Sequence, residues 1–246
     1  MKRYQQIIPC SLLSLGLLLF NQSSFAMGKT DDPILSKTMG EIELLKEGDA
    51  DVAEWEIDTW IGRDLQKFWI KTEGEYARED DESEIESAEI EFLYGKAVRA
   101  NWDVQFGLRT DLEPDEPDGR NWLVFGFKGL APGFWDVDAN FYIGEESSSQ
   151  LNIEIEREFM LTQRWVLTPE FELTANGRSN PEYGEGSGLE SAELSIRLGY
   201  ETRSRRLQPF VAIEGVQYFG ATKNLRQQEN EDTSNVSLVL GLHFWF

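Results

Sequence analysis

From Glu41 to Phe246 this chain is built of short segments in which apolar and polar side chains alternate. Trp102, Val104, Phe106 and Leu108 alternate with Asp103, Gln105, Gly107 and Arg109. Trp135, Val137, Ala139, Phe141 and Ile143 alternate with Asp136, Asp138, Asn140 and Tyr142. Leu151, Ile153 and Ile155 alternate with Asn152, Glu154 and Glu156. Successive side chains of a strand point to opposite faces, so each segment is a strand with one greasy and one polar face. Such strands belong to antiparallel sheets. Twelve are legible, at about 41–47, 53–61, 66–76, 85–97, 101–111, 120–130, 134–144, 150–160, 164–175, 188–201, 208–219 and 235–246. No amphipathic helix of ordinary length stands out.

The connections alternate too. Short links fall near 62–65, 98–100, 131–133, 161–163 and 202–207, and longer or more polar ones near 48–52, 77–84, 112–119, 145–149, 176–187 and 220–234. Short and long links therefore lie at opposite ends of the strands. That is the habit of outer-membrane barrels, with short periplasmic turns and long external loops. A soluble barrel or sandwich would also alternate, burying its apolar face inside. Two features favour the membrane. Acids stand at mid-strand on the polar face, and aromatics (Trp55, Trp102, Trp135, Trp165, Tyr200, Phe219, Phe246) crowd the strand ends, where interface girdles sit. The expectation is an all-β, antiparallel transmembrane β-barrel of about twelve strands, or ten if 41–47 and 53–61 stand outside the wall. The last segment, NVSLVLGLHFWF, places Leu238, Leu240, Leu242, Phe244 and Phe246 on one face. Pairing it with 41–47 closes the sheet and leaves no edge in lipid. Its terminal Phe resembles the signal by which the barrel assembly machinery recognises such chains.

Residues 1–26 read as a secretory signal peptide: Lys2 and Arg3, an apolar core from Leu12 to Phe20, and Ser24-Phe25-Ala26 before the cleavage point. A short segment, 27–40, then precedes the barrel, 41–246. Cys10 leaves with the leader, so disulfides and thiolate metal sites are excluded from the remainder. Loss of Lys2 and Arg3, with no acid, takes the net charge from −22 to −24. Phosphate binding needs basic patches, so nucleic acid is not an expected partner, whereas cations are.

With apolar faces outward, the lumen receives Glu73, Glu75, Glu89, Glu91, Asp103, Asp136, Asp138, Glu154, Glu156, Glu158, Glu170, Glu172, Glu193 and Glu214, against Lys71, Arg109, Lys128 and Arg197. Two readings follow. Acids and bases form an ion-pair network that plugs a narrow barrel, or an acid-lined lumen concentrates or passes cations. Plug and pathway can coexist. On the outer face, Lys96 and Arg157 break the apolar pattern toward the short-turn end, where they can snorkel to head groups.

DDPIL (31–35), FWIKTEGE (68–75), APGFWDVDANFYIG (131–144), LTQRWVLTPEFEL (161–173), GSGL (186–189) and the terminal HFWF resemble the copper resistance protein B family of Gram-negative outer-membrane barrels. The resemblance implies a role in copper homeostasis, by binding, sequestration or export, with a periplasmic multicopper oxidase as a possible partner. Many members carry a Met- and His-rich stretch before the barrel. Here only Met27, Gly28, Lys29 and Thr30 separate the expected cleavage point from DDPIL. The expected remainder holds Met27, Met39, Met160 and one histidine, His243. Copper binding is therefore expected to be weak and to rest on carboxylates, above all Glu154, Glu156, Glu170 and Glu172. Asp136, Asp138, Glu73, Glu75, Glu89, Glu91 and His243 are further candidate ligands. The alternative is a structural or general cation-selective diffusion barrel. Catalysis finds no support: the sequence has no HExxH, GxSxG or phosphate loop, and its lone imidazole sits beside Gly241 and Trp245.

Overall fold

The computed structural model describes residues 32–246 apart from 48–49, 80–81 and 114–115; side chains at 47, 79, 82–84, 113, 116–118 and 146 also fall outside the description. The expected signal peptide lies outside the described residues. The strands are β1 (Leu35–Glu47), β2 (Ala50–Arg63), β3 (Gln66–Glu79), β4 (Glu82–Arg99), β5 (Trp102–Glu113), β6 (Glu116–Ala131), β7 (Trp135–Gly144), β8 (Ser149–Glu156), β9 (Phe159–Met160), β10 (Trp165–Asn176), β11 (Gly188–Tyr200), β12 (Leu207–Tyr218) and β13 (Ser234–Trp245). Each pairs antiparallel with its neighbour in the chain, except that β8 and β9 both pair with β10. These two are halves of one wall strand. The interruption at Arg157–Glu158 lies opposite Pro169, which has no N–H to give the ladder. The wall is thus a closed twelve-stranded barrel.

The seam is β1 against β13, in register from Met39↔Trp245 to Leu44↔Leu240. It continues through Thr38 N–H to Phe246 O, 3.0 Å, and Phe246 N–H to Thr38 O, 2.8 Å. The last residue of the chain is therefore part of the closure. β1 begins at Leu35, six residues earlier than alternation suggests, because LSKTMG carries no clean two-faced pattern.

Leu238, Leu240, Phe106, Leu108, Leu123, Phe125, Leu194, Ile196 and Ile213 are exposed large apolar side chains on the outer face. Trp102, Trp135, Trp165 and Tyr200 stand at the short-turn end. At the other end, 176–187 and 219–233 lie together. The Gly186 N–H donates to Thr222 Oγ1 at 2.9 Å, and a Cβ on Gly186 would fall 1.9 Å from the Thr222 nitrogen, so only glycine allows that approach. Thr222 belongs to α1 (Gly220–Glu229), a helix absent from the sequence reading. The segment GATKNLRQQE is polar nearly all round, so it carries no apolar period to reveal a helix. Arg120 of β6 fixes the neighbouring loop. It donates to Glu185 at 2.7 and 3.1 Å and lies 4.6 Å from the Trp122 ring and 4.1 Å from that of Tyr183.

Candidate functional site

The inner face is not uniformly polar. Trp69, Leu93, Trp122, Val124 and Tyr142 form a buried cluster, with Met39 and Trp60 packed against it. Trp60 shares its strand face with Asp58 and Glu56, and Trp69 shares its face with Lys71 and Glu73. Sequence alternation sets Tyr142 with the polar face but does not place Trp60, Trp69 or Trp122, which also turn inward. These large side chains fill part of the lumen, where packing offers them the same burial as a soluble core.

Beside this cluster the charges are paired. Asp138 Oδ2 accepts from Lys128 Nζ at 2.9 Å and from Lys71 Nζ at 3.1 Å. Its other oxygen accepts from Asn140 Nδ2 at 2.8 Å. Arg109 pairs with Glu89 and, at 2.6 Å, with Asp111. Asp111 in turn accepts from Trp122 Nε1 at 2.7 Å. Lys67 holds Asp103 at 3.2 Å. This side of the lumen is an ion-pair network set on aromatic rings, as the first of the two readings of the lumen expects.

Lys71, Glu89, Arg109, Lys128 and Asp138 line a cavity of about 1140 Å³ together with Glu41, Glu43, Glu54, Glu56, Glu73, Glu75, Glu154, Glu156, Glu158, Glu170, Glu172, Glu193 and Glu214. Strand register sets them in rows. Glu41, Glu56, Glu73 and Glu89 are directly opposite one another across β1 to β4. Asp138, Glu154, Glu172 and Glu193 do the same across β7, β8, β10 and β11. Directly opposed like charges destabilise a sheet unless counter-charge lies among them. Arg197 supplies some, pairing with Glu41 and, at 3.0 Å, with Glu170.

Glu154, Glu156 and Glu170 each offer a carboxylate oxygen within 4.8 Å of the others. Glu172 stands opposite Glu154 and accepts from Asn152 Nδ2 at 2.5 Å. Glu73 and Glu75 line the same cavity on the β3 side. Asp136 is opposite Glu156 but off the main cavity. Asp138 and Glu89 are engaged by bases, as above. Glu91 is buried, with one carboxylate oxygen unpartnered among the described residues. His243 lines the cavity opposite Glu41 and Gln208, its ring 5.7 Å from that of Trp245. Glu41, Glu43, Glu54, Glu56 and Asp58 were missing from the sequence-based inventory. The signal was present, since EWEID alternates as cleanly as any other segment.

The family model described as "Copper resistance protein B precursor (CopB)" matches residues 35–246. A copper resistance protein B homolog of Pseudomonas syringae pv. tomato is 32% identical over 206 residues, covering 84% of this chain and 68% of that protein. Copper resistance protein B of Escherichia coli is 30% identical over 208 residues, covering 85% and 68%. Among solved structures, the NanC porin superposes with a TM-score of 0.57 at 11% identity, over 85% of this chain and 99% of the porin. The KdgM porin, in a complex with disordered oligogalacturonate, gives 0.50 at 10% identity, with the same coverage. The porins share the fold, an outer-membrane-type barrel, while the family match runs from the first wall strand to Phe246; the chain belongs to the copper resistance protein B family.

Proposed function

We propose that this chain is a non-enzymatic barrel of the bacterial outer membrane that binds or passes copper ions through its acid-lined lumen. The rows of opposed carboxylates carry this reading. Glu41–Glu56–Glu73–Glu89 and Asp138–Glu154–Glu172–Glu193 hold more negative charge than the facing lysines and arginines neutralise. Cations in the lumen would relieve that repulsion. Glu154, Glu156, Glu170 and Glu172 are the first ligands, with Glu73 and Glu75 facing the same space. Hard oxygen donors favour Cu(II) over Cu(I) and discriminate ions poorly, so binding is weak and multiple. His243, next to Arg197's partner Glu41, is secondary.

In this reading residues 1–26 direct export, the closing strand addresses the assembly machinery, and lipid covers the outer wall. A periplasmic multicopper oxidase would fit as a functional partner, converting the ion on the inner side of the membrane. The unspecific character of carboxylate donors also supports a second reading, a general cation-selective diffusion barrel. Growth on graded copper separates them. A deletion strain should lose tolerance to copper while keeping that to other divalent ions, and the wild-type gene should restore it. Equal sensitivity to all divalent ions, or none, would favour the second reading.

A further inference from the structure

The outer faces of β7, β8–β9 and β10 are apolar at nearly every position: Trp135, Val137, Ala139, Phe141 and Ile143; Leu151, Ile153 and Ile155; Trp165, Leu167, Pro169, Phe171 and Leu173. Arg157 is the charge among them. It lies at the break in the eighth wall strand, toward the short-turn end. Its guanidinium is 4.4 Å from the Phe159 ring and 5.7 Å from that of Trp135. Those two rings meet edge to face, 6.4 Å apart and 82° inclined. The turn beside it is spare: Gly133, in the left-handed region at φ 92, leaves an Arg157 terminal nitrogen 3.8 Å from where a Cβ would stand. Its Nε is buried without a hydrogen-bond partner among the described residues.

The lumen bases Lys71, Lys128, Arg109 and Arg197 each hold a carboxylate. Among the described residues the Arg157 guanidinium meets only ring faces, which orient its plane but leave its charge to be met from outside. A charge on a lipid-facing wall is costly unless it reaches an ion at the interface. A flat guanidinium on an aromatic platform suits two oxygens of one phosphate. We infer that Arg157, seated on Trp135 and Phe159 beside Gly133, binds the phosphate of a glycerophospholipid in the leaflet at the short-turn end. This rests on the outer-membrane reading above.

The test uses the full mature barrel, refolded in detergent, with phosphatidylglycerol added and retained lipid counted by native mass spectrometry. Heat-modifiable migration on gels and insertion into vesicles, checked first, would fail if the outer-membrane reading were wrong, independently of any lipid count. Wild type should retain one phosphatidylglycerol at concentrations where Arg157→Gln retains about tenfold less, a loss in keeping with a bidentate charged contact. Arg157→Lys keeps the charge but loses the flat stack, and should fall between. Excess inorganic phosphate should not displace the lipid. Equal retention by Arg157→Gln would overturn the site. If that variant fails to fold, equal retention of diacylglycerol and phosphatidylglycerol by wild type would do so. Displacement by inorganic phosphate would overturn the lipid assignment in favour of a free anion.

Discussion

Asp138 illustrates what single residues do inside this barrel. It is buried, and it receives Lys71 from β3 as well as Lys128 from the adjacent β6. Lys71 reaches it from another part of the wall, 67 positions earlier in the chain, so this ion pair ties distant strands together. Removing one partner of a buried pair leaves the other uncompensated. Asp138→Asn should lower stability by on the order of 2–3 kcal/mol, since the lysines retain some water. Urea titration of the refolded barrel, followed by loss of heat-modifiable migration, measures it. A change within error would mean that the network merely decorates the wall. Alternation showed that Lys71 and Asp138 face inward, but not that they meet. Parity assigns a face; the pairing depends on how far each strand is staggered in the closed barrel. The same limit hid the pairing of Arg197 with Glu41 and Glu170, whereas the grouping of Glu154, Glu156 and Glu170 on neighbouring strands was legible.

At the scale of elements, the closing strand holds the seam. β13 bonds to β12 and β1, and its last residue pairs with Thr38. Leu242 lies on its outer face, opposite Ile42 and Pro209. A basic charge at the middle of a lipid-facing wall costs roughly 2–4 kcal/mol. Leu242→Arg, and deletion of Phe246, should therefore leave unfolded chain for periplasmic proteases. Immunoblots of membrane fractions would show depleted, heat-unmodifiable protein; wild-type levels of both variants would contradict the account of the seam. Elements were the most legible level of this sequence. All twelve wall strands were readable, because each must present opposite chemistry to its two sides. The helix α1 was not, because a polar link can coil without leaving any periodic mark. Inward Trp60, Trp69 and Trp122 were left unplaced, although their parity with Asp58, Lys71 and Arg120 gives the face.

Across the whole molecule, ion pairs and opposed carboxylates share one lumen: Lys71, Arg109, Lys128 and Asp138 line the same cavity as the rows of acids. The carboxylates are the proposed seat of metal binding. Protons compete with metal for the same oxygens, so occupancy should fall as the solution is acidified. The most direct measurement is a Cu(II) titration of the refolded barrel at neutral and acid pH, beside His243→Ala and a variant with Glu154, Glu156, Glu170 and Glu172 all changed to Gln. Binding should be weak and multiple at neutral pH, faded in acid, reduced several-fold in the four-fold variant and little changed by His243→Ala. A tight single site abolished by His243→Ala alone, or binding unaffected by loss of the four glutamates, would contradict that proposal.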